Sequence, residues 1–134
     1  MKYILLPITV TFAACSSPKG DSGDSDTTVS EECGTIHTVT TTDDSADMEV
    51  YMDFDPEDLT IAVGDCVNFV MSNTHNAVEV SQETYENRSG PALDGGFNVT
   101  YGETQEVYFG EAGTHYYVCQ PHIQMDMVGT ITVQ

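Results

Sequence analysis

From Ile36 to Val133 the chain is written in short runs of β-favouring residues broken by turn residues, and no apolar stretch keeps a helical period beyond one or two turns. The run "MEVYMDF" sets Met48, Val50, Met52 and Phe54 on one face against Glu49, Tyr51 and Asp53 on the other. "LTIAV" repeats the alternation with Leu59, Ile61 and Val63, and "CVNFVMS" follows the Gly64-Asp65 turn. "AVEVS", "FNVTY", "QEVYF", "THYYVC" and "GTITV" continue the series, with "EAG" at 111–113 as a turn signal. Counting "IHTVTTT" at the start, this predicts an all-β chain of about eight strands with no helix long enough for a crossover, and a β-sandwich is the economical way to bury such strands. For "SQETYENRSG", 81–90, the capping signal around Ser81 to Thr84 is weak, which predicts a loop with one turn of helix at most.

The remainder of the chain does not read as part of that fold. With 134 residues and 40% hydrophobic content there is material for one domain. Residues 1–14, "MKYILLPITVTFAA", carry one Lys and a short apolar run, the form of a secretory signal and too short for a stable bilayer span. Cys15, behind two alanines and ahead of two serines, resembles the cleavage site of a bacterial lipoprotein, at which the new N-terminal cysteine is lipidated; Phe12 departs from the usual leucine of that pattern. Two readings stand at this point: a lipid on Cys15, or an ordinary signal cut near Ala14 with Cys15 unmodified. Residues 16–32, rich in Ser, Asp, Gly and Thr, hold a single apolar residue, Val29, and cannot bury enough surface to fold. The expected organisation is a signal over 1–14, a disordered acidic tether over 15–32 spanning about 20 to 25 Å on average, and a folded domain over 33–134.

Near the C-terminus "YYVCQPHIQMDM", 116–127, gathers Cys119, His122, Met125 and Met127. Thiolate, imidazole and thioether are the soft donors that copper prefers over calcium or magnesium. A second imidazole is needed. His37 and His115 lie inside alternating strands, whereas His75 sits between strands in the polar stretch "SNTHNAVEV".

"NTHNAVEV", then some forty residues on "GTHYYVCQPHIQMDM" and a closing "GTITV", resembles the blue copper cupredoxins of the plastocyanin and pseudoazurin type. The likeness covers the chain from about residue 35 to its end. It implies a Greek-key cupredoxin β-sandwich with one type 1 copper, cycling between Cu(I) and Cu(II), held at one end by His75, Cys119 and His122 in a plane and by Met127 as a weak axial ligand. Met125 is the alternative axial donor. Two imidazoles, a thiolate and a long thioether bond make a blue copper electron-transfer geometry. The resemblance further gives Asn76 a backbone N–H for the Cys119 sulfur and a side chain for the facing loop, although it also reads as a plain turn residue. Pro121 would remove a backbone donor near the sulfur and stiffen the loop, or be a simple turn proline. Ala77, Pro121 and Ile123 are candidates for part of an apolar patch around the His122 ring edge, the alternative being ordinary loop residues. Val118 stands where plastocyanins carry a tyrosine used as a remote electron route. With Cys15 assigned to lipid and Cys119 to metal, Cys33 and Cys66 remain; in an oxidising compartment, on strands the family places side by side, they should form a disulfide, the alternative being two buried free thiols.

The balance of 22 acidic against 3 basic residues, −19 overall, excludes nucleic acid as a partner. Loss of the signal would leave Lys19 and Arg88 against the same 22 acids, a charge of −20. Such a surface suits docking to a basic redox partner, a cytochrome or an oxidase, or else a saline habitat. The expectation is a monomeric electron carrier, not an enzyme, tethered by its lipid at the cell envelope with the domain in the periplasm or outside the cell. A lipoprotein that stores or delivers copper is the alternative and would call for more clustered Met and His; a catalytic copper enzyme would need further His-rich motifs and a second domain.

Overall fold

The computed structural model describes residues 32–42 and 52–134. Signal, Cys15, most of the tether and the first half of the "MEVYMDF" run therefore lie outside the described residues. Two β-sheets face each other. The first has the order β2 (Phe54–Asp55), β1 (Ile36–Thr41), β4 (Asp65–Val70), β7 (Thr104–Phe109). The second runs β3 (Asp58–Ile61), β9 (Val128–Val133), β8 (Gly113–Val118), β5 (Ala77–Val80), β6 (Asn98–Val99). Pairs β1/β4 and β3/β9 are parallel while the other named pairs are antiparallel, so the chain passes repeatedly between layers in the manner of a Greek-key sandwich. The alternating runs account for these strands, and "FNVTY" contributes only Asn98 and Val99.

The alternation explains the core. On β8 the inward residues are His115 and Tyr117, followed by Cys119 just past the strand end; Tyr117 and Cys119 are fully buried. Tyr117 packs its ring against Phe54 and Phe69 at centroid distances of 4.7 and 5.4 Å, and Phe97 stacks on Phe69 at 4.9 Å. Burying such a ring is worth several kcal/mol, truncation to alanine costing about 3–5 kcal/mol. Room for it comes from Gly129, its cross-strand partner, where a Cβ would stand 2.3 Å from the tyrosine ring.

The outward residues of the second sheet around β5 are covered too, which is why all four residues of that strand are buried. Val80, Val118 and Val128 form a second apolar cluster under Tyr85, Tyr116 and Ile123. Tyr85 belongs to α1 (Gln82–Asn87), six residues of helix where a single turn at most was expected. The Ser81 hydroxyl accepts from the Thr84 N–H at 3.2 Å, a proper N-cap that the weak sequence signal understated. Arg88 closes the helix in the left-handed conformation, φ 53°.

Two internal carboxylates pin loops to this frame. Asp65 accepts from the backbone N–H groups of Thr35 and Ala62 and faces His37 Nε2 at 2.9 Å; these donors hold its carboxyl below the ordinary range, His37 foremost. Glu79 faces His115 Nδ1 at 2.6 Å and accepts from the Phe97 N–H at 3.0 Å. His37 and His115 are thus tied to acids inside the sandwich. Cys33 and Cys66 are joined in a disulfide that binds the segment ahead of β1 to β4.

Candidate metal centre

His75 closes the loop between β4 and β5, its N–H bonded to the Ser72 carbonyl at 3.3 Å, and it is fully buried. Cys119 ends β8 and caps a 3-10 helix over Gln120–Met125, where the sequence suggested only a loop. Pro121 stands in the first turn of that helix, where its fixed φ and missing N–H cost no helical bond. Its left-handed stop is Asp126, φ 69°. The loop is cinched at its neck: Cys119 N–H donates to the Met127 carbonyl at 3.0 Å, Met127 N–H to that of His122 at 3.3 Å, and His122 N–H to that of Cys119 at 3.0 Å.

This folding brings three donor atoms together. The Nδ1 atoms of His75 and His122 are 3.0 Å apart, and the Cys119 sulfur lies 3.6 and 3.5 Å from them. The centre of a triangle with those sides is about 2.0 Å from each corner, the length of a metal–imidazole bond and about 0.3 Å short of a metal–thiolate one. The donor set and spacing fit a metal ion. Met127 is fully buried in the same core cluster as Cys119, whereas Met125 is 61% exposed. Burial raises the Cys119 thiol above its ordinary value, and the backbone N–H groups of Asn76 and His122 directed at the sulfur oppose that rise by favouring thiolate. The Asn76 side chain clasps the facing loop: Gln120 N–H donates to Oδ1 at 2.9 Å, and Nδ2 donates to the Gln120 side-chain oxygen at 3.0 Å.

The sequence model described as "Copper binding proteins, plastocyanin/azurin family" matches residues 37–134. The chain belongs to that family. It is 34% identical over 82 residues to the plastocyanin of Prochlorothrix hollandica, an alignment covering 60% of this chain and 63% of that protein. Identity to the plastocyanin of Scenedesmus fuscus is 36% over 84 residues, covering 60% and 86%. Among solved structures, a pseudoazurin from Sinorhizobium superposes with a TM-score of 0.57 at 27% identity, covering 75% of this chain and 74% of that one. Copper is accordingly the cofactor of this cupredoxin, one type 1 ion.

Two features of this cupredoxin differ from what the sequence suggested. Ala77 is fully buried and contributes nothing to a surface patch around His122; Pro121 is exposed and half-buried Ile123 leans on the outer valine cluster. Nor did the sequence show that Arg88 and Asp126, 38 residues apart, meet in an ion pair with Nε 2.5 Å from Oδ1. Asp126 has acidic company: Glu57, raised by its burial first, is pushed further by Asp58, Asp53 and Asp126. Among the described residues no helix is long and apolar enough to cross a membrane.

Proposed function

We propose that this chain is a mononuclear blue copper electron carrier, passing single electrons between redox proteins at the cell envelope, with His75, Cys119 and His122 as trigonal ligands and Met127 as the axial one. The observation that carries the reading is the convergence of two Nδ1 atoms and a buried thiol beside a buried methionine of the same loop. Copper supplies the one-electron couple. The protein's part is to hold the donors still. Two sheets, the cinched loop and the Asn76 clasp restrict their movement, so little reorganisation accompanies a change of charge. Backbone N–H groups aimed at the Cys119 sulfur stabilise its thiolate and tune the potential. Burial of His75, Cys119 and Met127 suits retention of the ion over delivery, and His122, whose residue is partly exposed, is the outlet for electrons.

In this reading the mature chain is anchored by a lipid on Cys15 and stands off the membrane on its acidic tether. Its negative charge steers a cationic partner such as a basic cytochrome. The test is stopped-flow electron transfer between the copper-loaded protein and a basic cytochrome across a salt series. Rates at low salt should exceed those at high salt by about 10- to 1000-fold, because screening shortens the reach of exposed charges to about 8 Å at physiological ionic strength. Absence of transfer at any salt would refute the carrier; a rate flat with salt would refute steering alone.

A further inference from the structure

The ligand loop is held at two ends by different means. At its start the Asn76 side chain clasps Gln120. At its end, one residue before Met127, stands Asp126, whose backbone N–H donates to the Ile123 carbonyl at 3.3 Å and whose side chain is held from another element. Arg88 Nε donates to Asp126 Oδ1 at 2.5 Å, an Arg88 terminal nitrogen donates to the Tyr85 carbonyl, and the guanidinium lies over the Tyr85 ring at 4.7 Å. Tyr85 in turn packs on Tyr116 of β8 at 5.0 Å. The guanidinium is thereby fixed to the sheet before it reaches the loop.

Three observations argue that this contact is more than surface decoration. Arg88 occupies the left-handed stop of α1, where glycine is the ordinary choice and a long side chain is conformationally costly. It is the only Lys or Arg among the described residues of a chain carrying 22 acids, so its placement beside the loop is not one of many cationic contacts. Between the segment that follows α1 and the loop lies a cleft of 260 Å³, lined by Arg88, Ser89, Gly90, Gln120, Ile123 and Gln124 among others. Ile123 packs the middle of the loop on the valine cluster, and beyond this cleft the Arg88–Asp126 pair adds a second attachment at the loop's end.

We propose that Arg88 is a positioning residue for the copper site: through Asp126 it sets the left-handed turn that presents Met127, and so governs how closely the thioether is held to the ligand plane. The pair is exposed, with Arg88 and Asp126 side chains 30% and 76% accessible, and exposed pairs add little to folding stability. Its effect falls on the geometry of one turn. This rests on the ligand set proposed above, and the experiment separates the two.

Arg88→Asn removes the guanidinium while leaving a residue that tolerates the left-handed conformation. In the copper-loaded protein it should raise the reduction potential in the direction of Met127→Leu, by less, shift the relative intensities of the thiolate-to-copper absorption bands, and speed copper loss to a chelator by about tenfold, as loss of outer-sphere support does. The metal-free melting temperature should stay nearly unchanged. Exchanging the partners, Arg88→Asp with Asp126→Arg, should restore potential and spectrum. The proposal is overturned if Arg88→Asn leaves potential and spectrum as in the wild type, whether or not its melting temperature falls, or if the exchange restores neither. A wild-type protein without thiolate-to-copper absorption would instead overturn the ligand set itself.

Discussion

Replacing Asn76 by alanine removes both hydrogen bonds that clasp the start of the ligand loop. The Gln120 backbone N–H loses its acceptor at 2.9 Å, and the Gln120 side-chain oxygen loses its donor at 3.0 Å. The Gln120 side chain is exposed and recovers water cheaply, but Asn76 itself is only 3% exposed, so the N–H behind it does not. A hydrogen bond is worth about 0.5–1.5 kcal/mol net, and stranding a buried donor costs about 1–3 kcal/mol, which together come to about 3 kcal/mol at the middle of their ranges. Each kcal/mol moves the melting temperature of a domain of about 100 residues by about 4–8 °C, so metal-free Asn76→Ala should melt about 12–24 °C below the wild type. The backbone N–H that Asn76 directs at the Cys119 sulfur survives the substitution, so the copper-loaded variant keeps its colour. Asn76→Asp retains the acceptor and should lose less. Scanning calorimetry on the metal-free proteins decides: a shift of Asn76→Ala below about 3 °C would refute the clasp as a source of stability.

Changing Cys33 and Cys66 to alanine opens a loop with a sequence separation of 33 residues and should cost about 3–4 kcal/mol in the chain-entropy model; denatured, metal-free wild-type chain extending from residue 16 should show one reactive thiol, and three would contradict the bridge. Asp65 gives an acid signature. Its carboxyl is held below the ordinary 3.8 in the folded state, so the stabilisation is complete above that value and is lost as pH falls through the lowered one. The melting-temperature gap between wild type and Asp65→Asn should therefore be widest near neutral pH and close in strong acid, and a gap independent of pH would count against the carboxylate's role. Met127→Leu should retain copper and colour but raise the reduction potential measured by voltammetry, since a donor to the metal is lost; the same change produced by Met125→Leu alone would reassign the axial position.

The metal loop was legible because its chemistry is local in sequence: Cys119, His122 and Met127 share one short segment, and soft donors are scarce enough elsewhere to stand out. The strand pattern was legible for the same reason, since alternation of apolar residues is a property of neighbours. Long-range pairings left no such trace. Nothing local in "NRSG" announces that Arg88 reaches Asp126, nor in "AVEVS" that Glu79 turns inward to meet His115. Ala77 read as a surface residue because it follows a polar loop, but both faces of β5 are covered and its position at the strand start puts it in the core. Helix α1 was underestimated because its stability comes from Tyr85 packing on Tyr116 and the valine cluster, a tertiary effect that outweighs a modest local propensity.

The most direct test of the account is the visible spectrum of the metal-free protein on addition of one equivalent of Cu(II), beside Cys119→Ser treated in the same way. The geometry predicts an intense thiolate-to-copper band, giving a blue or green colour that bleaches on reduction and returns on oxidation, with no such band in the serine variant, whose hydroxyl cannot replace a soft, charged sulfur. A colourless Cu(II) complex of the wild type, or a band that survives Cys119→Ser, would contradict it.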